Sequence, residues 1–132
     1  MQSKKFKVIH FITSLGLGGA ELVLFKLLQN KNKFIEHEVI CLNSGGTLKK
    51  KIEKLKIKVT CLSLEKNFIK NSFGCYKYLN AIKKNRIIIQ TWLPHADLYG
   101  SLVSKLSGLN KIIWNIRISN ITFKSFKISI IF

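Results

Sequence analysis

With 132 residues the chain is one domain's worth, enough for a single two- or three-layer core and too short for two. A hydrophobic share of 47% with a single proline excludes a disordered chain and leaves no room for a long flexible linker. Twenty-three Lys and Arg against six Asp and Glu give a formal charge of +17, which bears on partners and not on fold.

The first element is a strand. Val8, Ile9, Phe11 and Ile12 form a near-continuous apolar run, as a parallel strand covered on both faces requires. Gly16, Gly18 and Gly19 follow, where glycine permits positive φ and close approach to the backbone. Ala20 to Gln29 lacks Gly and Pro and predicts a helix, whose free N–H groups and positive dipole end would receive an anion. Glu38 to Leu42 reads as the second strand and Asn43-Ser44-Gly45-Gly46 as its turn. Thr47 is the expected N-cap of a short helix from Leu48 to Leu55, and Val59 to Leu64 is the third strand. Cys75, Leu79 and Ile82 at i, i+4 and i+7 predict an amphipathic helix from Ser72 to Lys84. Ile87 to Trp92 is the fourth strand. Leu98, Leu102 and Leu106, flanked by Tyr99 and Val103, predict a helix from Ala96 to Ser107 that Gly108 stops, and Lys111 to Ile116 is the fifth strand. Five strands alternating with four helices predict an α/β, Rossmann-like three-layer sandwich with a parallel sheet of order 3-2-1-4-5 and right-handed crossovers.

In that order, strands one and four are neighbours whose helices leave on opposite faces, and ligands usually bind in the crevice between them. The loop after strand one holds Gly16 to Gly19. The loop after strand four holds Pro94, His95 and Asp97. His95 is either a ligand-facing imidazole or a helix N-terminal residue bonded to backbone. Pro94 suits the first helical turn, and Asp97, mainly structural, suits the positive end of that helix.

Several functions are excluded or weakened. The dinucleotide pattern G-x-G-x-x-G fails at its third glycine, where Glu21 stands, and strand two ends in Cys41, Leu42 and Asn43 with no acid for a ribose. A receiver domain would need an aspartate where the chain has Thr13 and Ser14. Cys41, Cys61 and Cys75 lack C-x-x-C spacing, so reduced thiols are expected in place of a disulfide or zinc site, which favours the cytosol. Lys4, Lys5 and Lys7 before an apolar stretch imitate a signal peptide, but His10, Thr13 and Ser14 interrupt it, and no run approaches a membrane span. Lys49, Lys50, Lys51, Lys54, Lys56 and Lys58 cluster around the second helix and third strand, and Lys83, Lys84 and Arg86 end the third helix. Near an anionic leaflet each contributes roughly 1 kcal/mol. A genome biased toward AT-rich codons, in which Lys, Ile and Asn all abound, is the other source of such a composition. Nucleic acid is not an expected partner, because only charge speaks for it.

The segments GLGGAE, HEVICLNSGG, QTWLPHADLYGSLVSKLSGL and KIIWNIRIS, in that order, resemble the N-terminal domain of retaining glycosyltransferases of the GT-B architecture, glycosyltransferase family 4. The likeness runs from Lys7 to Ser119. It implies a domain over residues 1–119 that is the N-terminal, acceptor-side half of a GT-B fold, with the tail 120–132 reading as a truncation, a frameshift remnant or a fragment. It also implies transfer of a sugar from a nucleotide-sugar to a glycan or lipid-linked acceptor in cell-surface polysaccharide synthesis. His95 would be the catalytic-side imidazole beside the reacting sugar. Gly18, Gly19 and Arg117 would bind donor phosphate, with Glu21 and Asp97 on the acceptor side. No metal or cofactor beyond the donor is expected. The six acids nowhere show the E-x7-E spacing with which the family's C-terminal domain grips the nucleotide. The chain alone is therefore expected to be inactive and to need that second domain or a partner subunit. A cytoplasmic protein, peripheral on the inner face of the cell membrane, fits this reading. The alternative is a non-catalytic, membrane-docking half-protein that complements a separate donor-binding subunit.

Overall fold

A computed structural model describes residues 6–83 and 86–115. Arg117 and the tail 120–132, to which the sequence reading gave roles, lie outside the described residues, as do Lys84 and Ile116. The described chain alternates β1 (Phe6–Ile12), α1 (Gly19–Gln29), β2 (Ile35–Cys41), α2 (Leu48–Glu53), β3 (Lys58–Cys61), α3 (Phe68–Ile82), β4 (Ile87–Trp92), α4 (Pro94–Leu106) and β5 (Ile112–Asn115). The strands form one sheet in the order β3-β2-β1-β4-β5, and every pairing is parallel.

Both faces of the sheet are covered. On one, Ile9, Phe11, Ile40 and Ile89 pack against Cys75 and Leu79 of α3 and Ala96 and Val103 of α4. On the other, Ile12, Val39 and Trp92 pack against Leu24 and Leu28 of α1 and Leu48 and Ile52 of α2. This is the Rossmann-like three-layer sandwich expected from the alternation. Removing a core side chain such as Leu79 would cost about 2–5 kcal/mol.

Element edges differ from the sequence reading where a side chain or a tight turn decides them. β2 starts at Ile35, three residues early, because Glu36 and His37 belong to the ladder although they are not apolar. α3 starts at Phe68, not Ser72, because the Asn67 side chain accepts the Lys70 N–H at 3.1 Å and caps a turn the apolar spacing does not mark. β3 ends at Cys61, short of Leu64, and the chain then bends through Ser63 at φ 49°. Thr47 is no cap: its backbone is already helical and its hydroxyl caps nothing, while the Leu48 N–H bonds the Leu15 carbonyl at 2.9 Å. α2 also ends at Glu53, before Leu55. The leucine spacing in α4 does mark a helix, but not its buried side. Leu102 and Leu106 are 50% and 66% exposed, whereas Ala96, Gly100, Ser101 and Ser104 face inward. Small residues let α4 lie close to the sheet, since a Cβ at Gly100 would come within 2.9 Å of Thr91 and 3.0 Å of Phe11.

The turn after β2 is fastened onto the turn after β1. Asn43 N–H bonds the Thr13 carbonyl at 3.1 Å, and a Cβ on Gly46 would fall 2.5 Å from the Leu15 carbonyl carbon and 2.7 Å from the Gly16 nitrogen. Backbone cannot yield to that extent cheaply. Gly46→Ala is expected to destabilise the fold by about 1–3 kcal/mol. Gly74→Ala, inside α3 with open space around it, should instead stabilise by about 0.5–1 kcal/mol. Urea melts of the two variants check both signs.

Candidate functional site

The ends of the five strands lie in one register row. Cys61 pairs with Cys41, Cys41 with Ile12, Ile12 with Trp92, and Trp92 with Asn115. The loops after β1 and β4 therefore leave the carboxyl edge side by side, and their helices depart to opposite faces. The crevice of a doubly wound sheet opens at such a point.

On one wall stands the start of α1. Gly18 is its extended N-cap, and Gly18 and Gly19 are exposed. The Leu22 N–H bonds the Gly18 carbonyl at 3.1 Å, so the N–H groups of Gly19, Ala20 and Glu21 precede the helical ladder, as first-turn donors do. Of the two roles expected of the glycines, positive φ is not used here. Among the described glycines only Gly45 and Gly108 have positive φ, and Gly18 sits at φ −77°. Close approach is what is used: a Cβ at Gly18 would collide with the Glu21 carboxylate. Glu21 is buried, and its Oε1 accepts a hydrogen bond from Ser14 Oγ at 3.2 Å. In the same loop, Thr13 Oγ1 is buried with no partner among the described residues. A buried hydroxyl left so costs about 1–3 kcal/mol, which water or a ligand hydroxyl would recover.

The other wall is the start of α4. His95 is exposed at its second position, after Pro94. The turn beneath it is strained, because Leu93 adopts φ 75° and ψ 154°, close to a region held almost wholly by glycine. Its neighbours hold it there. The Asp97 N–H bonds the Leu93 carbonyl at 2.8 Å, and Thr91 Oγ1 donates to Asp97 Oδ1 at 2.6 Å. Burial raises the Asp97 pKa, and the Thr91 hydrogen bond works against that. Asp97 thus turns inward to lock the turn, whereas Gly18, Gly19 and His95 are exposed at the edge.

Neither protein-family models nor curated proteins show a match to this chain. The geometry is the guide to function.

Below the crevice lies a polar chain, of which the sequence reading noted His10 only as an interruption of the apolar run. The Trp92 indole N–H donates to His10 Nδ1 at 3.1 Å, and His10 Nε2 is 2.9 Å from His37 Nδ1. Since Nδ1 of His10 accepts, its proton rests on Nε2 and is donated to His37. Burial, then the nearby His37, pushes the His10 pKa down to about 3, and burial followed by Lys31 lowers that of His37. No periodicity could have revealed this, since His10 is one polar residue in a buried strand whose partners stand 27 and 82 positions away.

Both rings are neutral in the fold but protonate near the ordinary value of 6.5 when the chain unfolds. Unfolded chains then bind protons that folded ones refuse, so stability present above that value is lost as pH falls toward the folded value. For His10 the slope is about 1.4 kcal/mol per pH unit. The raised Asp97 acts oppositely over the carboxylate range. Melting temperature is expected to drop steadily between pH 6.5 and about 4.5, and His10→Gln should flatten that slope. Thermal melts across pH check it.

Proposed function

We infer that this chain is the acceptor-side half of a glycosyltransferase that moves a sugar from a nucleotide-sugar to a glycan or lipid-linked acceptor. The observation that carries the reading is the shared register row, from which the exposed Gly18-Gly19 helix start and the exposed His95 rise on the two sides of the β1/β4 switch point. The resemblance of GLGGAE, QTWLPHAD and the segments between them to glycosyltransferase family 4 supports it on the same residues.

The division of labour follows from chemistry. First-turn N–H groups at Gly19 and Ala20 would take a diphosphate oxygen, with the dipole of α1 adding attraction. The imidazole of His95 would hydrogen-bond a sugar hydroxyl or assist a proton moving between acceptor oxygen and leaving phosphate, since an imidazole offers both a donor and an acceptor nitrogen. Glu21, fixed by Ser14, would accept from a hydroxyl, and Thr13 would offer one more polar atom. Arg117 would add charge toward phosphate. The donor's base and the remaining charge stabilisation belong to a second domain or a separately encoded chain, without which turnover is not expected.

A second reading draws on a different feature. A non-catalytic half-protein that docks to a membrane and complements a donor-binding subunit would show exposed apolar surface, and α3 and α4 carry it.

Titrating the 15N-labelled chain with millimolar UDP-glucose, GDP-mannose or inorganic pyrophosphate separates the readings. Amide shifts confined to Gly16–Glu21 and the Leu93–Ala96 turn, and weakened several-fold in His95→Ala for the sugar nucleotides only, are expected. Shifts elsewhere, or none, would remove the transferase reading.

A further inference from the structure

Between α3 and α4 runs a groove of about 560 Å³ lined by Phe68, Ile69, Phe73, Tyr76, Leu102 and Leu106 among others. It is apolar and open. Ile69 is 82% exposed, and Phe68 and Phe73 stand more than half in solvent. The groove is also built, because Tyr99 O–H donates to Ser72 Oγ at 2.9 Å across the two helices and the Phe68 ring meets Tyr99 edge-on at 6.0 Å. Contiguous exposed apolar surface of this kind marks an interaction site.

Charge selects the occupant. From Lys66 to the end of the chain the only acid is Asp97, which is buried and bonded to Thr91. The Lys77 ammonium lies 4.7 Å from the Phe73 ring centroid at the groove, and Lys105, exposed, stands on α4 next in sequence to the groove residue Leu106, whereas Lys70 lines a separate pocket on the other side of α3. A second copy of the chain would bring the same lysines against these. The chain's own segment beyond residue 115 carries Arg117, Lys124 and Lys127 and no acid, so it meets the same repulsion. An anionic lipid surface is both apolar within and negative at its face, which matches aromatic and aliphatic side chains with Lys77 at their edge and no exposed acid on either helix.

We propose that the α3–α4 groove is a docking face for an anionic bilayer. Phe68, Ile69 and Leu102 enter the boundary between headgroups and acyl chains, and the lysines engage lipid phosphate. Because the sheet is parallel, α3 and α4 both start at the carboxyl edge, so docking sets the His95 turn close to the membrane surface. The premise that the chain works at a membrane is shared with the second reading of function, but docking requires no donor and no catalysis. Vesicle binding and nucleotide-sugar binding can therefore fail separately.

The test is co-sedimentation of the full chain with phosphatidylcholine vesicles, with and without phosphatidylglycerol. Binding is expected only with the anionic lipid. Ile69→Asp and Leu106→Asp, at exposed positions where the fold is checked by an unchanged melt, should each weaken it at least about tenfold. Lys77→Gln and Lys105→Gln should cost about fivefold each. Lys49→Gln, Lys50→Gln and Lys51→Gln, on the far face, should cost clearly less. Equal binding by wild type and Ile69→Asp would overturn the proposal in favour of diffuse charge, as would absence of binding. So would a dimer in sedimentation velocity that Ile69→Asp dissolves, since the groove would then belong to a second copy.

Discussion

β1 takes ladder bonds on both edges, from β2 along its full length and from β4 over Lys7 to Ile12, and both its faces are covered by helices. That double pairing is the constraint from which the positions of all other parts follow. A slip of one residue in either ladder would turn Ile9 and Phe11 toward the layer now filled by Ile12 and Trp92, exchanging the two cores at once. With the register fixed, Ile12, Cys41 and Trp92 must end abreast, and the turns after them are brought into contact whatever their own sequence. The bonds from Leu42 to Ile12 and from Leu48 to Leu15 are consequences of that alignment.

The sheet carries polar groups that parallel strands rarely tolerate, and each is settled by a partner. Glu38, 1% exposed, receives Lys7 at 2.8 Å and the Tyr78 hydroxyl at 2.7 Å, with Lys58 at 3.8 Å completing the set. Burial and the neighbouring Glu38 raise the Tyr78 pKa, which keeps the phenol a donor. A buried ion pair of this kind adds little net stability, because desolvation offsets much of the attraction, but loss of one partner would strand the other charge. The histidines use the opposite device. They remain uncharged, and a tautomer chain from Trp92 to His37 satisfies each ring nitrogen that faces the interior. Cys41 and Cys75 are likewise held as thiols, with pKa values pushed up to about 12, chiefly by burial.

Where hydrophobic period and structural role coincide, the chain is legible without coordinates. β4 falls at Ile87–Trp92, where the sequence places it from Ile87, Ile88 and Ile89 onward, and the sheet order follows from alternation with helices. Legibility fails where a single polar atom sets the boundary, as Asn67 does for α3. It fails again where small residues, not large ones, face the core. In α4 the leucines signal a helix but stand outward, because only Ala96, Gly100 and the serines fit the close approach to β1 and β4. Of the candidate site, Gly18, Gly19 and His95 could be placed at one edge by topology alone. The inward turn of Asp97, the unpartnered hydroxyl of Thr13 and the strain at Leu93 depend on contacts that no local pattern encodes.

The charge of the crevice is not the charge of the molecule. Each of the two helix starts that flank it has its own buried carboxylate in the first turn, Glu21 in α1 and Asp97 in α4, so each dipole is already partly met. Asp97 is spent on Thr91. Glu21 lies against Gly18 and Ser14, where it would repel a phosphate set directly over it and accept from a hydroxyl set beside it. On the transferase reading this divides the mouth by chemistry: hydroxyls fall to Glu21, Thr13 and His95, and an anion is confined to the N–H groups of the glycine turn. Of the lysines, Lys77 lies at the α3–α4 groove, and Lys49, Lys50, Lys51 and Lys58 lie on α2 and β3. On the two proposals, attraction to a negative surface and selection of a polar ligand would fall to different parts of one small sheet protein.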